Sequence, residues 1–258
     1  MSEEEEKQFA HQNKEDEQNR LMDLHNQISE CNWTKIQYEL RNLKNTQYIF
    51  EENYKELATH FNSFQYQGKI DLRPNLTPAE YENIQLKSAR YLYNYLSAAR
   101  TLYHHTVVFM NKYKNTSFEK DAMDKVSSHF PDELNKFLPE LRNYMVHQGL
   151  FHHCILTDIT TQPREIRVVF KINELLNSHK WSENSKKYIL SWDGDFELEQ
   201  FCEDYHEKAT EYYTWFFSAL RKYHYKDLKE YEKLKNEYVL LKASEYKRRQ
   251  NQCLQQKK

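Results

Sequence analysis

The residue pattern with most chemical content in this chain is an arginine and a histidine five positions apart near a helix end. The segment Leu141-Arg142-Asn143-Tyr144-Met145-Val146-His147-Gln148-Gly149 holds one such pair. The His147 imidazole can take the proton of an RNA 2′-hydroxyl, and the Arg142 guanidinium can hold the charge that develops on the phosphorane. That chemistry requires no metal. Asn143 and His147 stand four apart and share a helix face, whereas Arg142 lies about 100° round from Asn143 and must reach over on its long stem. Gly149 is placed to end the helix, which puts His147 at its last turn, where the carbonyl end attracts a cation. The competing reading is a C-terminal His cap beside an Arg in a surface ion pair. The same spacing also occurs at Arg20 and His25 and at Arg100 and His105, so spacing alone selects none of the three.

Other sites of chemistry are not supported. The chain has no Gly-rich phosphate loop, no dinucleotide fingerprint and no nucleophile elbow. His152-His153-Cys154 suggests metal ligation, but on a strand residues 152 and 153 point to opposite faces and no second pair lies at ligand spacing. Asp193-Gly194-Asp195 lacks the rest of a calcium loop and reads as a turn. The expectation is no metal and no cofactor.

Long helices must position these residues. Of 258 residues only three are Gly and five Pro, which disfavours turn-rich β folds, while 20 Tyr, 14 Phe and four Trp supply core volume. Ile36, Leu40, Leu43, Gln47, Phe50, Tyr54, Leu57, Phe61 and Phe64 form a seam on one long helix, which Gly68, Pro74 and Pro78 end. Thr77-Pro78-Ala79-Glu80 starts the next, with the seam Ala89, Leu92, Leu96, Ala99, Tyr103, Thr106, Met110 and Tyr113. Shorter helices are predicted over Phe118 to His129 and from Pro131 to Gly149. Two β-branched runs between residues 150 and 172, separated by Thr160 to Arg164, predict a small β-hairpin. Short helices follow near Glu174 and from Ser182 to Leu190. A final aromatic helix runs from Phe196 towards Arg248, with a break near His224. The expected fold is mainly all-α: a long-helix up-and-down bundle with a small β-hairpin insertion. Residues 1–30 are expected to be a polar, partly disordered lead, 31–225 the bundle, and 226–258 a basic helical tail.

Net charge is −2, with 37 basic and 39 acidic residues, so no bulk attraction draws the chain to nucleic acid. The start is acid-rich and the end basic, a pattern expected of solvated tails. Four scattered cysteines predict free thiols in a reducing compartment. No apolar leader or membrane-length run is present, so the expected setting is cytoplasmic, away from membranes.

Two segments resemble the signature helices of the bacterial HEPN-type family. Asn94-Tyr95-Leu96-Ser97-Ala98-Ala99-Arg100-Thr101-Leu102-Tyr103-His104-His105-Thr106 is similar to that family's N-x-L-S-[SA]-x-R-T-[LF]-x-D-H-T helix. Leu141 to Leu150 is similar to its L-R-N-Y-x-x-H-x-G-L-P segment. The resemblance is specific over about 30 residues and extends weakly over residues 85 to 225. It implies a helical bundle, a homodimer with Arg–His pairs near the two-fold axis, and metal-independent endoribonuclease activity in antiviral defence or toxin–antitoxin systems. It implies Arg142 and His147 as catalytic residues, Asn143 as the group that orients them, RNA as substrate, and an antitoxin or other protein as partner. Arg100, Asn94 and His105 are then expected to bind substrate. The chain departs from the pattern at His104, where relatives carry Asp, and at Leu150-Phe151, where they carry Leu-Pro. The second reading is a catalytically silent binding or regulatory module that acts through helical protein–protein contacts. Nucleotide binding rests on family analogy alone.

Overall fold

The structure is a computed structural model. It describes residues 3–70, 77–147, 154–158 and 165–255, with side chains over 12–63, 77–147 and 167–250. The chain is mainly all-α with one small antiparallel sheet. In order the elements are α1 (Glu3–Glu30), α2 (Asn32–Ile70), α3 (Pro78–Met110), a 3₁₀ turn (Asn111–Tyr113), α4 (Ser117–His129) and α5 (Asp132–His147). There follow β1 (Cys154–Asp158), β2 (Glu165–Phe170), α6 (Ile172–Ser178), α7 (Glu183–Leu190), β3 (Phe196–Glu197), α8 (Leu198–Tyr223) and α9 (Tyr225–Gln255). Two compact units divide them: Met1–Arg41 with Ser218–Lys258, and Asn42–Phe217.

In the first unit α1 and α9 pack together. Helix α1 spans the residues expected as a polar lead, with partners on α9. Leu24 is buried, Arg20 Nη2 donates to Glu237 Oε1 at 2.6 Å, and Arg248 pairs with Glu17. Charges of both signs thus pair across the two helices, Arg20 of α1 with Glu237 and Glu17 with Arg248 of α9. Such exposed pairs contribute at most about 1 kcal/mol each, so the burial of Leu24, Trp33, Ile36 and Leu40 supplies more of the cohesion. The α8–α9 break falls at His224, as expected. There the imidazole Nδ1 meets Asp227 Oδ2 at 2.8 Å across the first turn of α9.

In the second unit α3 begins as its sequence predicts. Thr77 Oγ1 accepts from the Glu80 amide, and Glu80 Oε2 accepts from the Thr77 amide at 2.8 Å, a reciprocal cap. Its buried face is Leu92, Tyr95, Leu96, Ala99, Leu102, Thr106 and Phe109. Tyr103 is left 49% exposed although it was expected in the seam. The buried positions 92, 95, 99, 102, 106 and 109 keep the same seven-residue repeat, with its second position one residue earlier than the expected 103 and 110. On α2 the seam is buried at Ile36, Leu40, Leu43, Phe50, Leu57 and Phe61, and Tyr54 is partly exposed. Thr46 takes the buried place beside Gln47, and the Phe64 side chain lies outside the described residues. Helix α2 continues through Gly68 to Ile70. The Thr46 hydroxyl donates to Asn42 O at 2.7 Å, so it accepts from His105 Nδ1 at 2.6 Å.

Helix α5 buries Leu134, Phe137, Leu138, Leu141 and Met145, a single stripe at helical spacing. Phe137 sits among Tyr188, Phe196, Trp181 and Phe201, at ring separations of 4.9 to 5.6 Å. Glu140 Oε2 accepts from the Ser182 amide at 3.0 Å and so ties α5 to the start of α7. The predicted hairpin is present as β1 and β2, from Cys154 opposite Val169 to Asp158 opposite Glu165. A third short strand, β3, pairs with the far edge of β2, Phe170 opposite Phe196. The turn before it carries Gly194 at φ +93, a conformation side chains rarely adopt. Gly149, His152, His153 and the turn Thr160 to Arg164 lie outside the described residues.

Candidate functional site

The buried stripe of α5 decides which way the Arg–His segment faces. With Leu141 and Met145 turned inward, Asn143 and His147 are exposed and Arg142 is half-buried. Tyr144 anchors this end of the helix, its ring 5.7 Å from those of His179 and Trp181. Trp181 in turn donates its indole N–H to Leu175 O at 2.7 Å. The turn that carries Arg142 and Asn143 is therefore backed by a packed aromatic layer.

Arg142 Nη1 donates to Asn143 Oδ1 at 3.4 Å, which brings two of the three expected catalytic residues together. Arg142 Nε is buried and has no hydrogen-bond partner among the described residues. An unmade bond to a buried polar group costs about 1–3 kcal/mol, so this donor is a local cost in the fold. His147 is the last residue of α5. Among the described residues no hydrogen bond or ion pair joins it to Arg142. Five helical positions separate the two by about 140°, which accounts for this.

The expected substrate-binding residues on α3 are dispersed. Asn94 is exposed. His105 is held by Thr46 and ties α3 to α2, a structural placement. The Arg100 guanidinium lies over the Tyr103 ring, 5.4 Å from its centroid. Ser97, between Asn94 and Arg100 on the helix, has a buried hydroxyl without a partner among the described residues.

Sequence reasoning missed a cavity. About 410 Å³ of space opens between α3, α4 and α8, lined largely by apolar side chains, with Tyr103, Thr106, Met123, Phe130, Tyr205 and Tyr213 among them. Neither Arg142 nor His147 lines it. The aromatic run of α8 predicts a buried face, but nothing local marks a face that packs incompletely. Tyr213 of this helix is buried with its hydroxyl 2.6 Å from Thr106 Oγ1.

Among the described residues no group of three His, Cys, Asp or Glu side chains stands together as a metal site. Among the same residues no helix is long and apolar enough to cross a membrane. A scan against protein-family models finds no match for the chain, and searches of curated proteins and of solved structures find none either.

Proposed function

We propose that this chain is a metal-independent endoribonuclease of the HEPN type, acting in antiviral defence or as the toxin of a toxin–antitoxin pair. The observation that supports the reading is the half-buried Arg142 guanidinium, hydrogen-bonded to Asn143, on the same helix end as the solvent-facing His147.

In this reading His147 takes the proton of an RNA 2′-hydroxyl. The 2′-oxygen attacks the adjacent phosphorus, and the bond from phosphorus to the 5′-oxygen breaks. A 2′,3′-cyclic phosphate and a 5′-hydroxyl result, and the leaving oxygen takes its proton back from the imidazolium. Arg142 holds the charge that builds on the equatorial oxygens. In this reading the arginine that serves each histidine comes from a second copy across a two-fold axis, because five helical positions set Arg142 and His147 about 140° apart. RNA is the substrate, and an antitoxin or other protein is the partner that restrains the activity.

The test is single-turnover cleavage of end-labelled RNA in EDTA by the wild type and His147→Ala. The reading expects EDTA-resistant cleavage with cyclic-phosphate ends in the wild type alone. Equal cleavage by a folded His147→Ala protein contradicts it.

One observation favours a second reading, a catalytically silent binding or regulatory module. The helices α3, α4 and α8 border a cavity of about 410 Å³ that neither Arg142 nor His147 lines. An absence of cleavage across several RNAs, with the cavity occupied by a ligand, supports this alternative.

A further inference from the structure

The cavity between α3, α4 and α8 is an elongated recess with a carboxylate at one end. Glu119, Ala122, Met123 and Val126 stand three or four apart along α4, and all line it. Phe130, at the far end of that helix, lines it as well, about 16 Å from Glu119 along the helix axis. At about 410 Å³ the recess falls within the usual range for small-molecule sites.

Between those ends the wall is largely apolar. The rings of Tyr205, Phe130, Tyr212 and Tyr213 form one contiguous row, each 5.1 to 6.0 Å from the next. Met123 and Val107, 63% and 42% exposed, open the recess to solvent. Such a surface favours an apolar occupant by releasing water from both partners.

Charge selects the polar end of that occupant. Glu119 is the one charged side chain among the lining residues, and none of them is basic. Its Oε2 accepts from the Asn115 amide at 2.6 Å. A carboxylate has about four acceptor positions, so this cap leaves most of them unused. Among the described residues no cation pairs with it. The neighbouring polar groups are already bonded within the protein. The Thr106 hydroxyl donates to Leu102 O at 2.8 Å and accepts from Tyr213, and Asn135 donates its amide to Phe130 O at 2.8 Å. An apolar recess that ends at a carboxylate with no cation beside it is complementary to an alkyl chain with an ammonium head.

We propose that this cavity is a binding site for a primary aliphatic amine in its ammonium form, with the alkyl chain between α3, α4 and α8 and the ammonium on Glu119. Neither Arg142 nor His147 lines the site, and the proposal does not depend on the nuclease reading.

The probes are decylammonium, 1-decanol and decanoate, titrated calorimetrically into the full-length chain below their micellar concentrations. Decylammonium binds most tightly, the alcohol more weakly and the anion least. Glu119→Gln keeps an acceptor for the Asn115 amide and removes the charge. It weakens decylammonium about ten- to hundredfold, the loss expected for a hydrogen bond to a charged group, and leaves the alcohol unchanged. Filling the recess with Ala122→Phe, or with Val107→Phe at the rim if the first variant does not fold, removes binding of both decylammonium and alcohol. No decylammonium binding, decanoate binding as tight as decylammonium, or decylammonium binding that a folded Glu119→Gln protein retains in full overturns the proposal.

Discussion

Arg142 Nη1 reaches Asn143 Oδ1 at 3.4 Å, so two sequence neighbours on α5 share one polar contact at its solvent edge. The contact is long, and Asn143 is exposed. It therefore adds little to folding and serves to aim the guanidinium. Surface substitutions of this kind change stability by no more than about 0.5 kcal/mol. Asn143→Ala is expected to leave the urea midpoint unchanged while lowering the rate of RNA cleavage. A fall in the midpoint that accounts for the lost activity would contradict an orienting role.

The core of the second unit is predicted to hinge on Phe137. It is fully buried, with Tyr188, Phe196, Trp181 and Phe201 around it. Phe137→Ala removes those contacts and leaves a cavity, at a cost of about 3–5 kcal/mol. Urea unfolding followed by tryptophan fluorescence reads this directly through Trp181. Phe137→Leu, which keeps more volume, is expected to lose less.

Alkaline pH is predicted to unfold the protein steeply. Burial raises the phenol pKa of Tyr95, Tyr188, Tyr205, Tyr212 and Tyr213 above the ordinary 10.0. Above that value the unfolded chain loses these protons while the folded chain keeps them. The unfolded state then binds fewer protons, so stability falls as pH rises. The stabilisation is fully present below pH 10 and declines above it, by about 1.4 kcal/mol per pH unit for each tyrosine held protonated. Phenolate absorbance and helical circular dichroism, followed together, are expected to change in one concerted step for these residues. Phenolate formation that precedes unfolding by all five would contradict the prediction.

The thiols are predicted to differ in reactivity. Cys202 is 1% exposed, and burial pushes its thiol pKa well up, so little thiolate forms. Cys31 is partly exposed, with its sulfur 3.2 Å from Thr34 Oγ1. Iodoacetamide on the native protein, read by peptide mass, is expected to label Cys31 and to reach Cys202 only after denaturation. Equal rates would show that α8 opens at this position.

Much of the helical plan was legible because local chemistry carries it. Thr77, Pro78 and Glu80 announce the start of α3, and His224 marks the α8–α9 break. The stripe of α5 appears in the spacing of Leu134, Phe137, Leu138, Leu141 and Met145. What was not legible depends on packing partners and on distant pairing. The buried α3 face runs through Leu102 rather than Tyr103, and with apolar side chains at both positions only the packing partners choose between them. The long pairing of α1 with α9 joins segments more than 200 positions apart, as at Arg20 and Glu237. At the candidate site, the contact between Arg142 and Asn143 follows from adjacency. Tyr213 against Thr106 does not, since only the packing of α8 on α3 brings the two hydroxyls to 2.6 Å.

The central claim is that His147 and Arg142 form a ribonuclease site. Its most direct test is single-turnover cleavage of labelled RNA in EDTA by the wild type, His147→Ala, Arg142→Ala and an equimolar mixture of the two variants. The account predicts EDTA-resistant cleavage with 2′,3′-cyclic phosphate ends by the wild type and none by either variant alone. Partial recovery is expected in the mixture, where a two-fold axis pairs the intact arginine of one copy with the intact histidine of the other. Cleavage by the folded His147→Ala protein at the wild-type rate would contradict it.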